Sequence, residues 1–358
     1  MRVEKFKYSV IYFLAAVLCL LAGCTKEDLD DCVSGLYLKF EFTLHEAGGN
    51  RFGEDIQVVR VYLFDSNGVL HQIEEGRGAI LTDNYVMRIN LIPGKYTIIT
   101  WAGSHEDFSK SYRVQSIKGI NTLGSGDDIV IGETTLNDFK TFINHNLADE
   151  YPEDIIPATE EFDDLYYGAV GTRVKESSKY IFEQVEIKSG EFSERCVELI
   201  RNTNQIRVSI TGLDYFRSRP NIWVSARNGH YSYDNTIHEY TPLLRYHPYQ
   251  VNVGPNELSV NIKLVRMDLE HGSANPVLLF IEDVDTGILF PKQGIDIMSI
   301  LLQARDSETK EYIYANQEDF DRIYEHPIKI EIAADLNMKI FVHNWEVVEL
   351  LPEYGDSP

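Results

Sequence analysis

Hydrophobic and polar residues alternate along much of this chain with the period of two that is typical of β-strands. The clearest run places Leu36, Leu38, Phe40 and Phe42 on one face, with polar or charged residues between most of them. A strand buried on one face shows this pattern because successive side chains point to opposite faces. The same period predicts further strands near residues 56–64, 69–73, 85–91, 96–101, 165–168, 206–210, 222–226, 258–264, 277–281, 288–290, 328–332 and 340–344.

Turn-forming residues separate these runs. Examples are Asp65-Ser66-Asn67-Gly68, Pro93-Gly94 and Asp285-Thr286-Gly287. Many short strands with turns between them are typical of antiparallel β-sandwiches. The length favours two domains, so we predict an all-β protein with sandwiches at residues 36–190 and 191–358.

The stretch from residue 102 to residue 161 is more polar than its surroundings. We interpret it as long connections that belong to the first domain and do not form a third domain. Leu136, Phe139 and Phe142 have a helical spacing, and they predict one helix over residues 136–143.

The N-terminus has the features of a lipoprotein signal peptide. Arg2, Lys5 and Lys7 precede an apolar run over residues 10–22, which is too short to span a bilayer as a stable helix. The run ends at Leu21-Ala22-Gly23-Cys24, where small residues give a peptidase access and the thiol accepts lipid. We therefore predict that residues 1–23 are removed and that Cys24 is lipidated.

The segment after Cys24 is a polar and mostly acidic leash, over residues 24–35. It resembles the acidic signal that follows the lipidated cysteine in surface-exported lipoproteins of Bacteroidetes. The expected location is therefore the outer membrane, with the protein tethered by lipid and exposed at the cell surface.

The net charge and the cysteine content limit the partners and the covalent bonds that this chain can have. The net charge of −23 becomes about −25 when the signal peptide is removed, and such a surface repels nucleic acid. Cys32 and Cys196 are the two thiols left after processing and lipidation. An oxidising compartment allows a disulfide between them, and two separate buried thiols are the alternative.

No motif for catalysis or cofactor binding stands out, so we predict no enzyme activity, no metal and no cofactor. The sequence has no phosphate-binding glycine loop, no Cys-x-x-Cys pair and no Gly-x-Ser-x-Gly motif. Residues 282–285 have oxygen ligands suitable for calcium, but an acidic hairpin tip is the simpler interpretation. Tyr231, Tyr233 and Tyr240 have rings that can stack on sugars, although strand packing is their commoner role.

The chain resembles the fimbrial anchor lipoproteins of Bacteroidetes that are associated with fimbrillin A. The resemblance depends on an ordered series of short motifs: Asp31-Cys32 before the strand at 36–42, Val61-Tyr62-Leu63-Phe64-Asp65 with Gly68, Leu91-Ile92-Pro93-Gly94-Lys95-Tyr96 leading to Trp101-Ala102-Gly103, Leu165-Tyr166-Tyr167-Gly168, Asn204-Gln205-Ile206-Arg207-Val208, and Asp319-Phe320-Asp321-Arg322 followed by Ile340-Phe341-Val342-His343-Asn344-Trp345.

The resemblance implies two tandem transthyretin-like Greek-key sandwiches. It also implies a structural subunit at the base of a fimbrium, which binds a fimbrillin-type shaft subunit and limits fibre length. A surface glycan-binding lipoprotein is the alternative function. An open strand edge or groove favours the anchor, and a platform of exposed aromatic rings favours the glycan-binding protein.

Overall fold

The computed structural model describes residues 33–118, 127–144, 155–157, 162–177, 179–238, 241–335 and 337–350. Within those ranges, none of the helices has the length and apolar character needed to cross a membrane.

Residues before Gly103 form strands wherever the sequence alternates. In chain order these strands are β1 (Gly35–Glu41), β2 (Val58–Phe64), β3 (Leu70–Arg77), β4 (Val86–Asn90) and β5 (Gly94–Gly103). A short helix, α1 (Phe52–Asp55), lies between β1 and β2, and a 3₁₀ turn at Gly78–Ile80 follows β3.

The polar stretch also forms strands, after a 3₁₀ turn at Phe108–Lys110. They are β6 (Tyr112–Ser116), β7 (Asp127–Asp128), β8 (Phe139–Ile143) and β9 (Ile155–Pro157). The helix predicted over residues 136–143 is therefore wrong. All five residues of β8 are buried, so the strand has no polar face and its apolar spacing resembles that of a helix.

The next strands are β10 (Leu165–Ala169), β11 (Gly171–Arg173), β12 (Tyr180–Phe182), β13 (Val185–Ile187), β14 (Phe192–Glu198) and β15 (Ile200–Arg201). β11 and β12 pair with each other in a separate two-stranded sheet, and the other four complete the first sandwich. One sheet has the order β14-β1-β4 and the other has the order β15-β10-β5-β2-β3, with β13 also paired to β5. Their facing sides form one apolar core around Leu36, Phe40, Val61 and Ile98.

The rest of the chain forms a second sandwich. Its strands are β16 (Thr203–Thr211), β17 (Asn221–Ala226), β18 (His230–Ser232), β19 (Leu243–Tyr246), β20 (Gln250–Val253), β21 (Glu257–Val265), β22 (Leu278–Glu282), β23 (Leu289–Asp296), β24 (Glu325–Ile332), β25 (Met338–Val342) and β26 (Trp345–Leu350). Its helices are α2 (Leu269–Gly272), α3 (Ile297–Leu301) and α4 (Gln317–Arg322), and Leu213–Tyr215 is a 3₁₀ turn.

The second sandwich also has two main sheets. Their orders are β20-β21-β16-β24-β25-β26 and β23-β22-β17-β19-β9. β18 lies outside both, in a four-stranded sheet of order β18-β8-β6-β7. Ile206, Val208, Ile222 and Val224 belong to the core of this sandwich. The predicted all-β class is confirmed.

Strand pairing crosses the predicted boundary between residues 190 and 191 in four places within the described chain. β14 pairs in parallel with β1, β15 pairs with β10, β8 pairs with β18, and β9 pairs with β19. β14 and β15, which the sequence placed in the second domain, thus lie in the sheets of the first sandwich. We propose that the division between the sandwiches falls near Asn202 rather than between residues 190 and 191.

Candidate functional site

Two of the three site residues predicted from the sequence, Cys24 and Cys32, lie outside the described residues. Cys196 lies in β14, where its Cα is paired with that of Lys39 in β1. Partial burial of its side chain, together with the nearby Glu41 and Glu198 carboxylates, raises the pKa of the Cys196 thiol to about 11.

The position of Cys196 bears on the predicted disulfide. Ser34 continues the pairing of β1, because its carbonyl accepts a hydrogen bond from the Leu91 N–H. Lys39 is five residues beyond Ser34, which corresponds to about 16 Å of strand. Two residues reach at most about 7 Å back from Ser34 to Cys32, and a disulfide holds its Cα atoms within about 7 Å. The bond to Cys32 stays a prediction, and it requires the start of β1 to leave the sheet.

The other residues considered for chemistry have structural roles where they are described. In the hairpin at residues 282–285, the Asp283 carboxylate accepts a hydrogen bond from the Asp285 N–H at 2.9 Å. Tyr231 is buried, Tyr233 packs against the same core, and Tyr240 lies outside the described residues. Among the described residues, no group of three or more His, Cys, Asp or Glu side chains is placed to hold a metal ion.

The feature best suited to a partner is the edge strand β20. Most edge strands of four or more residues in the described chain have charged side chains, such as Glu74 and Glu75 in β3 and Glu346 in β26. Such charges protect an edge against pairing with another strand. β20 has the sequence Gln-Val-Asn-Val and is the described edge strand of this length that carries no charge.

The apolar side chains of β20 face the core side of the sheet but are not covered. Val251 is paired with Val260 and Val253 with Leu258, and both partners are buried. Paired residues share a face of the sheet. Nevertheless, Val251 is 39% exposed and Val253 is 64% exposed. The sheet thus extends one strand beyond the layer that covers it.

A groove lies beside this uncovered strand. Its volume is about 250 Å³. Its walls include Pro220, His247, Pro248 and Val251, and the buried Leu258 and Val260 also line it. An extended peptide can pair its backbone with β20 and place alternate side chains in such a groove.

A second, larger groove crosses the outer face of the β20–β26 sheet. It has a volume of about 420 Å³. Ser209, Ser259, Phe341, His343 and Asn344 are among its lining residues. Hydroxyl and amide groups around a partly exposed ring are a combination that can bind a sugar.

Sequence reasoning missed β20 as a strand and as a site. Its signal is short, with Val251 and Val253 alternating with Gln250 and Asn252 between Pro248 and Gly254-Pro255. Alternation identifies a strand, but only the packing of the second sandwich shows that nothing described covers these valines.

Comparisons with known proteins match both sequence and fold. Residues 29–350 match the family model described as "Fimbrillin-A associated anchor proteins Mfa1 and Mfa2". No protein in a search of curated sequences matches this chain.

Among solved structures, the chain is similar to the fimbrial anchor protein Mfa2 from Porphyromonas gingivalis, with 18% identity and a TM-score of 0.64, over 88% of this chain and 100% of that one. A putative adhesin from Bacteroides ovatus has 20% identity and a TM-score of 0.68, over 90% and 96%. A putative polysaccharide-binding protein from Bacteroides thetaiotaomicron has 19% identity and a TM-score of 0.67, over 90% and 100%. At these identities the structures establish a shared fold.

Proposed function

Because the chain belongs to the family of fimbrillin-A associated anchor proteins, we propose that it holds the base of a fimbrium at the bacterial outer membrane. A lipid on Cys24 ties the protein to the membrane, and a fimbrillin-type shaft subunit is its partner. Through that contact it attaches the fibre and contributes to control of fibre length.

The observation that supports this proposal most directly is the uncharged, uncovered edge of β20. We propose that an extended segment of the shaft subunit pairs with Gln250–Val253 as an added strand. Alternate side chains of that segment then cover Val251 and Val253 and enter the groove beside Pro248.

Each contact between β20 and an added strand contributes little binding free energy, but the contacts together contribute more. A backbone hydrogen bond contributes about 0.5–1.5 kcal/mol net. Covering each exposed valine adds about 1–2 kcal/mol. Several such contacts formed together give a slowly dissociating complex, which a fibre base requires.

The test introduces charge at the edge. In Val251→Lys and Val253→Lys, a cation stands where the partner's apolar side chains would pack, and binding of the purified shaft subunit should weaken about tenfold or more. Val86→Lys is the matched control, since Val86 lies on the edge strand β4 of the other sandwich and is 40% exposed. It should bind like the wild type in surface plasmon resonance. Equal affinities for all three variants, with unchanged melting temperatures, would show that β20 is not the contact.

The alternative function, a surface glycan-binding lipoprotein, is favoured by the groove around Phe341. One structurally similar protein, from Bacteroides thetaiotaomicron, is a putative polysaccharide-binding protein. If glycan binding is the function, Phe341→Ala should abolish retention on glycan arrays and Val253→Lys should leave it intact. If the anchor function holds, Phe341→Ala should still bind the shaft subunit.

A further inference from the structure

The described chain begins at one end of the first sandwich, close to the predicted lipid. Val33 is the first described residue, and nine residues separate it from the membrane, counting Cys24 itself. Nine residues span at most about 31 Å, even when fully extended. The end of the sandwich from which β1 starts is therefore held near the bilayer. The opposite end of β1 is farther away by about 20 Å.

Two exposed apolar side chains lie at this end. The β1–β4 pairing joins Gly35 to Asn90, and hydrogen bonds join Ser34 to Leu91. The same register places Val33 opposite Ile92. Val33 is 56% exposed and Ile92 is 64% exposed. The Ile92 carbonyl accepts a hydrogen bond from the Tyr96 hydroxyl at 3.0 Å, which fixes the loop that presents this side chain.

An aromatic pair continues this apolar region on the outer face of the same sheet. The rings of Tyr37 and Phe192 stack with centroids 4.8 Å apart. The guanidinium of Arg88 lies 4.9 Å from the centroid of the Phe192 ring. Gly35 permits this arrangement, because a Cβ at that position would lie 2.9 Å from the Phe192 ring and would collide with the Ile89 carbonyl.

We call Val33, Tyr37, Arg88, Ile92 and Phe192 the tether-side patch. Farther along the outer face it ends at the ion pair between Lys39 and Glu194. Apolar residues, amphipathic rings and a cation are the side chains that favour the boundary between lipid headgroups and acyl chains.

The local charge also differs from that of the whole chain. Arg88, Lys95 and Lys188 lie at this end, with the carboxylates of Glu186 and Glu191 beside them. The chain as a whole carries −23. These five side chains sum to +1, but the leash that precedes Val33 adds −3 from one lysine and four carboxylates. The attraction of this end to a lipid surface therefore depends on its apolar and aromatic side chains and not on its charge.

We propose that the tether-side patch rests on the outer-membrane lipid surface and sets the direction in which the protein leaves the membrane. This inference rests on the proposed lipidation of Cys24. With the patch on the bilayer, the second sandwich projects away from it, and β20 is presented to the shaft instead of being free to swing on the leash.

The test uses the processed, lipidated protein in vesicles of phosphatidylethanolamine and phosphatidylglycerol. In a Cys32→Ser, Cys196→Ser background, a fluorophore is attached through Ile92→Cys or through the control Ile80→Cys. Ile80 is 59% exposed and follows β3 at the opposite end of the sandwich. Lipids with a quencher near the headgroup should quench the label at 92 at least about twofold more than the label at 80, because only position 92 lies at the interface.

The outcomes separate the two proposals. Protein that floats with the vesicles but shows equal quenching at 92 and 80 keeps the lipid anchor and overturns the membrane-facing patch. Protein that does not float shows that Cys24 is not lipidated, and the patch proposal falls with it. If purified shaft subunit shields position 92 from an aqueous quencher in detergent, the patch binds a protein and the lipid assignment is wrong.

Discussion

The guanidinium of Arg201 lies 4.3 Å from the centroid of the Tyr324 ring and 3.3 Å from the Asp55 carboxylate. Arg201 ends β15 in the first sandwich, and Tyr324 precedes β24 in the second. Asp164 reinforces the junction, since its carboxylate accepts a hydrogen bond from the Tyr324 hydroxyl and pairs with Lys263 at 3.0 Å. Charged groups that are mostly buried thus join the two sandwiches.

The first prediction concerns this junction. Arg201→Ala should lower the free energy of unfolding by about 1.5–3 kcal/mol, because Asp55 and Asp164 each lose a mostly buried charged partner. The loss is limited because Asp55 keeps its pair with Arg51 and Asp164 keeps its pair with Lys263. The matched control is Arg195→Ala, which removes a more exposed pair with Glu183 and should cost at most about 1 kcal/mol. Urea denaturation followed by circular dichroism measures both. Equal losses of unfolding free energy in Arg201→Ala and Arg195→Ala would show that Arg201 does not couple the sandwiches.

A buried chain of hydrogen bonds has a direction that the surrounding groups determine. The Met267 N–H donates to Oδ1 of the Asn204 side chain. The other atom of that side-chain amide, Nδ2, therefore donates to His326 Nε2 at 3.2 Å. His326 then carries its proton on Nδ1 and donates to the Tyr314 hydroxyl at 2.8 Å. The Tyr314 hydroxyl donates to His343 Nε2, also at 2.8 Å. His326 is neutral in this arrangement.

The second prediction follows from the pKa of His326. Complete burial, with a smaller effect of His343, lowers that pKa to about 3. In the unfolded chain His326 takes up a proton near pH 6.5, whereas in the folded chain it does so only near pH 3. The free energy of unfolding that depends on His326 is therefore at its maximum above pH 6.5 and falls as the pH drops towards 3. Between pH 7 and pH 5 the loss is about 2 kcal/mol. In His326→Gln that part of the pH dependence should disappear.

The control for this experiment is the exposed His105. His105→Gln removes a surface histidine that accepts a hydrogen bond from the Asp107 N–H and leaves His326 in place, so the loss of stability attributed to His326 between pH 7 and pH 5 should persist. If His326→Gln and the wild type have the same slope between pH 7 and pH 5, the neutral His326 is not the source of acid sensitivity.

The parts of the fold that the sequence predicts are those with one buried face. Leu36, Leu38 and Phe40 alternate with polar residues because β1 separates core from solvent. β8 has no such pattern, because Phe139–Ile143 is buried on both faces. The pairing of β14 with β1 joins residues about 157 apart, such as Gly35 and Phe192, and no local pattern contains that information. The uncovered β20 edge is likewise a property of tertiary packing.

The third prediction concerns Cys196. With its pKa raised to about 11, the thiol has about a hundredfold less thiolate at pH 7 than an ordinary cysteine. Slow labelling of the native protein at neutral pH therefore does not indicate a disulfide. If β1 keeps its pairing from Ser34 onward, denatured and unreduced protein should label at both Cys32 and Cys196. Absence of labelling until reductant is added would establish the disulfide and show that the start of β1 leaves the sheet.

The last prediction tests the anchor itself, in cells. Leu21-Ala22-Gly23-Cys24 is the motif that predicts lipidation, and Cys24→Ala removes the thiol that accepts the lipid. Acyl chains contribute about 0.8 kcal/mol for each buried CH₂ group, so their loss should release the protein from the membrane. Fibres should then appear in the medium with the anchor still at their base, because β20 is unchanged. Val253→Lys should instead shed fibres while the anchor stays in the membrane fraction.

Deleting the whole gene should combine these effects and yield shed fibres of abnormal length. Electron microscopy of cells and medium measures fibre number and length, and fractionation with an antibody locates the anchor. The two single substitutions distinguish the membrane contact from the shaft contact, since each removes one and keeps the other. Cell-bound fimbriae of unchanged amount and length after deletion would contradict the anchor function and favour the alternative proposal, glycan binding in the groove around Phe341.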